Sequence, residues 1–248
     1  MKISACLLID NSNTRTKFAL ATGGEVSGLR VLPTSELSIE GIHLLLTGWC
    51  FERVCCSSVV PQALEIIAEA LKDYPLRVVH AGIDSGVDFS TYAGAATLGA
   101  DRVVNALAAV RLVELPLVAV DMGTATTFEV VVQGKGLPRF AGGIITPGFQ
   151  SFASCLPSCT AQLPEVIRDT SAPFIGRNTH EAMSAGVVAG YAGMLDSLLD
   201  GIEKELGEEV NIVLTGGDAA FFAPLLRHSV VMVPDLTIQG LAIAAGMR

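Results

Sequence analysis

Apolar residues in this chain fall in short runs bounded by glycine, proline and Asx clusters, the spacing of strands and short helices joined by turns. Near the start, Ile3–Ile9 and Lys17–Ala21 read as strands flanking the polar run DNSNTRT, and Gly23-Gly24 leads to a third strand near Leu29–Leu32. A helix over Ile39–Leu46, a strand at Arg53–Ser57, a helix over Pro61–Lys72 and a strand at Leu76–Val79 follow. Pro61 suits a first helical turn, where its missing N–H costs little, and Leu64, Ile67, Ala68 and Leu71 then recur at helical spacing. A helix from about Asp101 to Val113 closes this half, and then the pattern restarts. Strands are expected at Leu117–Val120, Thr127–Val132 and near Arg139–Ala141, followed by a helical insertion. The strand Asn211–Thr215, helix Ala219–Leu226, strand Val230–Val233 and a last helix from Leu236 complete the copy. The order strand–strand–strand–helix–strand–helix–strand is thus written twice, in residues 1–115 and 116–248, with a hinge near Leu115-Pro116.

The two halves also share a loop. LLIDNSNTRTKFAL from Leu7 aligns with VAVDMGTATTFEVV from Val118, pairing Asp10 with Asp121, Ser12 with Gly123, Asn13 with Thr124 and Thr16 with Thr127. A strand that ends on a carboxylate and turns through small hydroxyl residues can hold a metal-bridged phosphate. Its turn N–H groups donate to phosphate oxygens while the Asp takes Mg²⁺ or its water shell. Asp10, Asn11, Ser12, Asn13, Thr14, Arg15, Thr16 and Lys17 form the first such loop, and Lys17 is the one lysine placed to meet a phosphate. The first loop alone could equally be a hairpin with an Asx-rich turn; the second copy favours a nucleotide held between two related half-domains. A third turn, LTGGDAAF from Leu214, lets a flat ligand such as adenine approach the backbone, or is a plain strand-to-helix turn.

Composition narrows the function classes. With 248 residues, 50% hydrophobic and only 17% charged, the chain can bury a sizeable core, and its low charge points to surface covered by another subunit. A net charge of −9 argues against nucleic acid, whose phosphates attract a basic face. The longest uncharged run, Ala141–Pro164, is broken by Gly142, Gly143, Pro147, Gly148 and Pro157, so no transmembrane helix is expected. The start MKISACLLID lacks the form of a signal peptide, and the expected compartment is the cytoplasm. Six cysteines without a C-x-x-C pair read as small buried hydrophobes, and His43, His80, His180 and His228 lack ligand spacing.

Other segments carry candidate chemistry. In GADRVVNALAAVRL, from Gly99, Asp101 lies in the first turn of a helix, whose positive end favours the carboxylate over the acid. Asp101 is either a helix cap or a base taking a proton from a substrate hydroxyl, and in the second case Arg102 binds a substrate carboxylate. Asn105 shares the Asp101 face. AGGIITPGF, from Ala141, reads as a tight loop. The uncharged stretch Ala182–Leu195 follows the capping-box spacing of Asn178–Glu181 and is a core helix or a subunit interface.

Taken together, DNSNTRTK, SSVVPQ, YAGAATLGADR, VDMGTATTFEVV, GGIITPG, IGRNTHEAM, TGGDAAF and PDLTIQGL resemble, in order and nearly end to end, the type III pantothenate kinases. The resemblance implies a duplicated ribonuclease-H-like α/β fold of the actin and hexokinase kind, with two half-domains around a nucleotide cleft. It implies ATP-dependent phosphorylation of pantothenate, the first step toward coenzyme A, by a homodimer needing a divalent cation such as Mg²⁺ and a monovalent one, K⁺ or NH₄⁺. By matching motif, Asp101 resembles the proton acceptor, and Tyr92, Gly99, Arg102 and Thr179 resemble pantothenate contacts. Asp10–Lys17 resembles the ATP phosphate loop, Thr124 an ATP contact and Asp121 the monovalent-cation ligand. Two positions depart from the family: Ser12 stands where glycine is common, and Gly94-Ala95 where Asn-Pro is common. The alternatives are a non-catalytic or regulatory homologue, and a kinase for another small hydroxylated substrate.

Overall fold

Alternating apolar residues around a polar turn make a hairpin, and the first sheet grows from one. In the structure, a computed structural model that describes residues 5–82 and 86–247, β1 (Ala5–Asn11) and β2 (Arg15–Thr22) pair antiparallel. Ile3, expected to open the first strand, lies outside the described residues; the strand runs past Ile9 and takes in Asp10 and Asn11. Gly23 and Gly24, both at positive φ, turn the chain into β3 (Glu25–Pro33), longer than its four-residue apolar stretch indicated. β4 (Arg53–Ser58) lies parallel to β1 on its other side, and β5 (Leu76–Val78) parallel to β4, giving the order β3-β2-β1-β4-β5.

Each face of this sheet has its own cover. Leu7, Ile9, Phe18, Val54 and Cys56 point one way and pack with Ile42 and Ile67 of α1 (Ile39–Leu45) and α2 (Pro61–Ala70). Full burial of such an aliphatic side chain contributes roughly 1.5–3 kcal/mol. Ser38 caps α1, its hydroxyl accepting from Gly41 N at 3.1 Å. The alternate residues face α3 (Ala100–Ala109) and α8 (Leu236–Ala244). These two helices touch backbone to backbone, because a Cβ on Gly240 would collide with the Val104 carbonyl.

The second sheet repeats the first. β6 (Leu117–Met122), β7 (Ala125–Val132), β8 (Arg139–Pro147), β9 (Asn211–Thr215) and β10 (Val230–Met232) take the order β8-β7-β6-β9-β10, with β9 parallel to both β6 and β10. AGGIITP is thus strand, not the loop its glycines indicated; Gly142 at φ +130 bends β8 without ending it. Between β8 and β9 come α4 (Phe149–Cys159), α5 (Thr179–Ser184), a π-helical turn over 185–189 and α6 (Gly190–Leu206). α7 (Ala219–Phe222) is shorter than expected: Pro224 has no N–H to continue it, and a 3₁₀ turn follows.

By packing, the chain forms two compact units. One holds 1–115, 129–142 and 235–248; the other holds 116–128 and 143–234. Among the described residues, Thr179–Leu206 is long and apolar enough to cross a membrane, and half of its most apolar stretch is buried in the fold. That burial accounts for its apolarity as a core helix.

Candidate active site

The first loop is braced from both sides by side chains that the sequence does not place beside it. Ser12 closes the turn, its N and its Oγ both donating to Arg15 O at 3.1 Å. Thr34, just past β3, donates through Oγ1 to Ser12 O (2.7 Å) and through N to Thr14 O (3.1 Å). On the other side Ser58 Oγ donates to Asn11 Oδ1 at 2.6 Å, and Asn11 Nδ2 donates to Thr16 Oγ1 at 2.7 Å. Asn11 and Thr16 are therefore buried braces, while Asn13, Thr14 and Arg15 form the exposed tip. Asp10 and Lys17 are register partners, joined by an ion pair of 3.4 Å. No described residue other than glycine has positive φ, so Ser12 makes the turn without the strain a glycine would avoid.

The start of α3 gathers a second group in the same unit. Gly99 is the N-cap, and Asp101 Oδ1 accepts from Arg102 N at 2.8 Å. A Cβ on Gly99 would come within 2.5 Å of that same Oδ1, so a residue without a side chain is what lets Asp101 sit there. Burial raises the Asp101 pKa above the ordinary aspartate value, against the lowering effect of the Arg102 N–H and guanidinium. The helix-end argument alone gave the opposite sign; desolvation outweighs it.

Arg102 is itself almost buried, at 7% exposure. Its Nε donates to Glu129 Oε1 at 2.8 Å, and its guanidinium lies 5.8 Å from the Phe140 ring centre. Tyr92 meets the same Phe140 edge-on at 5.2 Å, so one aromatic ring lies against two of the four residues that resemble pantothenate contacts. Gly94 lies against Tyr92: a Cβ there would come 3.0 Å from the ring. Asn105 is buried and accepts from Thr237 Oγ1 of α8 at 2.9 Å, which makes it a helix–helix tie. Sequence spacing missed Glu129, Phe140 and Thr34. The signal for Glu129 was available: a single carboxylate inside the apolar run of β7.

The second loop belongs to the other unit and is tighter. Only Gly123 and Thr124 separate β6 from β7, where three residues separate β1 from β2. Two glycines clamp it. A Cβ on Gly148 would overlap the Gly123 carbonyl, and one on Gly216, at φ +99, would lie 2.5 Å from the Met122 N and O. Gly148 N donates to Thr124 O at 3.1 Å, and Thr124 is exposed at the tip. Asp121, next to last in β6 as Asp10 is in β1, pairs in register with Thr215. Asp218, after the glycine pair, forms an ion pair with Arg168 at 2.7 Å, and Arg168 in turn stacks 4.7 Å from the Phe149 ring.

Thr179 is the exposed first residue of α5, behind Asn178, whose Oδ1 accepts from Glu181 N at 2.9 Å. It lines an apolar cavity of about 810 Å³ with Phe152, Leu156, Met183 and Val187, all in the second unit. His228 also finds partners that spacing hid: ligating atoms of Asp200, Glu203 and His228 lie within 4.8 Å of one another. Asp196 accepts from His228 Nδ1 (2.8 Å) and Arg227 N (3.1 Å), while Asp200 accepts from Arg227 Nη2 (2.8 Å). These bonds read as a network fastening α6 to the 226–229 turn. All six cysteines are free thiols; Cys6, Cys55 and Cys56 are buried, with burial pushing Cys55 up to about 12, but Cys50, Cys155 and Cys159 are exposed.

Comparison with known proteins bears on these groupings. Residues 6–201 match the family model described as type III pantothenate kinase. The type III pantothenate kinase of Akkermansia muciniphila is 38% identical over 98% of both chains, and that of Zymomonas mobilis 34% over 96% of this chain and 90% of the other. Among solved structures, a glucokinase from an Antarctic psychrotroph superposes at TM-score 0.60 (11% identity, 100% of both chains). A ROK hexokinase from Thermus thermophilus gives 0.51 (13% identity, 97% of both chains). A Baf-family protein from Campylobacter jejuni gives 0.63 (19% identity, 97% of both chains). These likenesses, with two sheets of one strand order, identify the fold as the duplicated ribonuclease-H-like α/β fold.

Proposed function

Because the chain belongs to the type III pantothenate kinase family, we infer that it transfers the γ-phosphoryl group of ATP to the pantothenate hydroxyl, giving 4′-phosphopantothenate for coenzyme A synthesis. The observation that carries the mechanism is Asp101: a half-buried carboxylate of raised pKa at the start of α3, accepting from the Arg102 N–H. In this reading Asp101 accepts the hydroxyl proton as the substrate oxygen bonds to phosphorus, and the bond from that phosphorus to the β,γ-bridging oxygen breaks to release ADP. Arg102, oriented by Glu129, anchors the pantothenate carboxylate, and Tyr92 and Gly99 shape the acceptor pocket.

Asp10 and Lys17 would hold the metal-bound phosphates, with the exposed tip Asn13–Arg15 donating to phosphate oxygens. Their chemistry fits a hard divalent cation: an oxygen donor beside an ammonium, with the buried Ser57 hydroxyl orphaned one strand away. When bound, Mg²⁺ supplies charge neutralisation on the phosphates. Asp121 is assigned to a monovalent cation and Thr124 to ATP. A homodimer is supported by the exposure of Phe174 (87%) and Ile175 (84%) and by the unpartnered Gly186, Gly190 and Gly193 along α5–α6. Thr179 would be a substrate contact in that assembly. The location proposed is the cytoplasm, where free thiols persist.

One assay separates the alternatives: ADP release with and without pantothenate, in potassium and in sodium buffer. The expected outcome is release that depends on pantothenate and is faster in potassium. Equal release without pantothenate would make the protein an ATPase, and equal rates in both buffers would remove the cation role of Asp121; no release would leave a non-catalytic homologue or a kinase for another hydroxylated substrate, which a panel of other acceptors then separates.

A further inference from the structure

Parallel and antiparallel pairing bring three polar side chains into one row across the first sheet. Asp10 pairs with Lys17 of β2 on one side and with Ser57 of β4 on the other. Their neighbours Ile9, Phe18 and Cys56 all point into the α1–α2 core, so strand alternation turns Lys17, Asp10 and Ser57 to the opposite face, which α3 and α8 cover. Val59 shares the Ser57 face, and its Cγ1 is 3.7 Å from where a Cβ of Gly99 would stand. The first turn of α3, carrying Asp101, therefore lies over the end of β4 beside Ser57.

Ser57 is anomalous in this row. It is 1% exposed, and its Oγ has no hydrogen-bond partner. Its neighbour Ser58, by contrast, is tied to Asn11 Oδ1 and Val60 O. A buried hydroxyl without a partner weakens the fold, so its presence calls for a reason. The duplication supplies an internal comparison: in the second sheet Asp121 pairs in register with Thr215, which is also buried. Both halves thus set a buried hydroxyl one strand away from the loop carboxylate.

We propose that Ser57 is a positioning residue of the phosphate site: its Oγ–H is the donor that holds the Asp10 carboxylate once that group turns from Lys17 toward the divalent cation of the nucleotide. The proposal rests on the reading of Asp10 as part of the phosphate site. Ser57 touches neither nucleotide nor acceptor; it acts through Asp10, as outer residues orient metal-binding carboxylates elsewhere.

Ser57→Ala and Ser57→Cys test this, each read in three ways. In the free protein Ser57→Ala should melt at or above the parent temperature, since the lost hydroxyl made no bond. Its kcat should fall about 10-fold or more and its half-activating Mg²⁺ concentration should rise several-fold, with KM for pantothenate unchanged. The upward melting shift produced by Mg²⁺ with a non-hydrolysable ATP analogue should shrink, and Ser57→Cys, a weak donor of similar size, should restore part of it. A Ser57→Ala protein with parental kcat, Mg²⁺ dependence and melting shift overturns the proposal. So does one that melts lower while keeping its activity, which marks an ordinary structural residue. If Ser57→Ala does not fold, Ser57→Cys carries the same three readouts. Asp10→Asn separates the two levels: if it leaves the nucleotide-induced shift intact, the phosphate-site reading falls and this proposal with it. If it abolishes the shift while Ser57→Ala keeps it whole, only the proposal for Ser57 falls.

Discussion

Replacing Glu129 by alanine removes a carboxylate acceptor from a nearly buried guanidinium. Arg102 Nε lies 2.8 Å from Glu129 Oε1, with side-chain exposures of 8% and 0%. Breaking such a buried pair from one side leaves its charge less compensated and costs about 3–5 kcal/mol. For a chain of this length each kcal/mol lowers the melting temperature by roughly 2–4 °C, so Glu129→Ala should melt roughly 6–20 °C below the parent. Glu129→Gln keeps an acceptor for Nε and should lose less. The double change Arg102→Met with Glu129→Leu removes both charges and fills the space, and should recover most of the loss. Scanning calorimetry reads all three, and steady-state kinetics on Glu129→Gln should show a raised KM for pantothenate. The reasoning fails if Glu129→Ala melts within about 2 °C of the parent, or if the double variant is no more stable than Glu129→Ala.

Further outcomes bear on Asp101. Asp101→Asn should lower kcat by about 10²-fold or more. Its folded-state pKa lies above the unfolded one, so the protonated form favours the fold, and that contribution is lost as pH rises through the folded pKa. A permanently neutral Asn avoids the loss, and the variant should melt at or above the parent temperature at neutral pH; a lower melting temperature would contradict the desolvation reading. The same shift places the acid limb of kcat/KM above the ordinary aspartate value of about 4, and a limb at or below that value would remove Asp101 as the base. Gly99→Ala has an allowed backbone, φ −54 and ψ 135, so its effect comes only from the 2.5 Å overlap with Asp101 Oδ1. Displacing the base by about an ångström should cost on the order of 10²-fold in kcat, and parental kcat in that variant would show that Asp101 does not need its present position.

Legibility in the sequence followed the physical range of each interaction. Strand order was readable because both halves repeat it and because alternation along a strand is local. The start of β8 was read near Arg139–Ala141, but its continuation through Pro147 was not, since Gly142, Gly143 and Pro147 carry turn signals that pairing with β7 overrides. Asp101 and Arg102 were readable as residue types at a helix start, but the sign of the Asp101 pKa shift was not, because desolvation depends on what packs around it. Glu129, Phe140, Thr34 and Ser58 act through contacts between distant segments, and no periodicity encodes those. His228 shows the same limit: its partners Asp196, Asp200 and Glu203 follow helical spacing among themselves but meet the histidine only through the fold.

On the proposed assignment, the duplicated loops put one backbone device to two electrostatic tasks. Both place a carboxylate next to last in the central strand, with a buried hydroxyl residue in register beside it. The difference lies across the hairpin: where the first copy has Lys17, aligned residue Phe128 stands in the second, fully buried. An ammonium beside Asp10 offsets its charge and leaves the loop suited to phosphate oxygens arriving with a metal. An aromatic ring at that place offers no such offset to Asp121, and the shorter turn between the Gly148 and Gly216 clamps leaves less room for a phosphate chain. A lone cation asks less of a loop: one carboxylate and a few oxygens held still. That asymmetry supports the assignment of phosphates to Asp10 and Lys17 and of the monovalent cation to Asp121. With phosphates and cation so assigned, the proposed seat of acceptor specificity is neither loop but the turn from Gly99 to Arg102, which the chain writes only once.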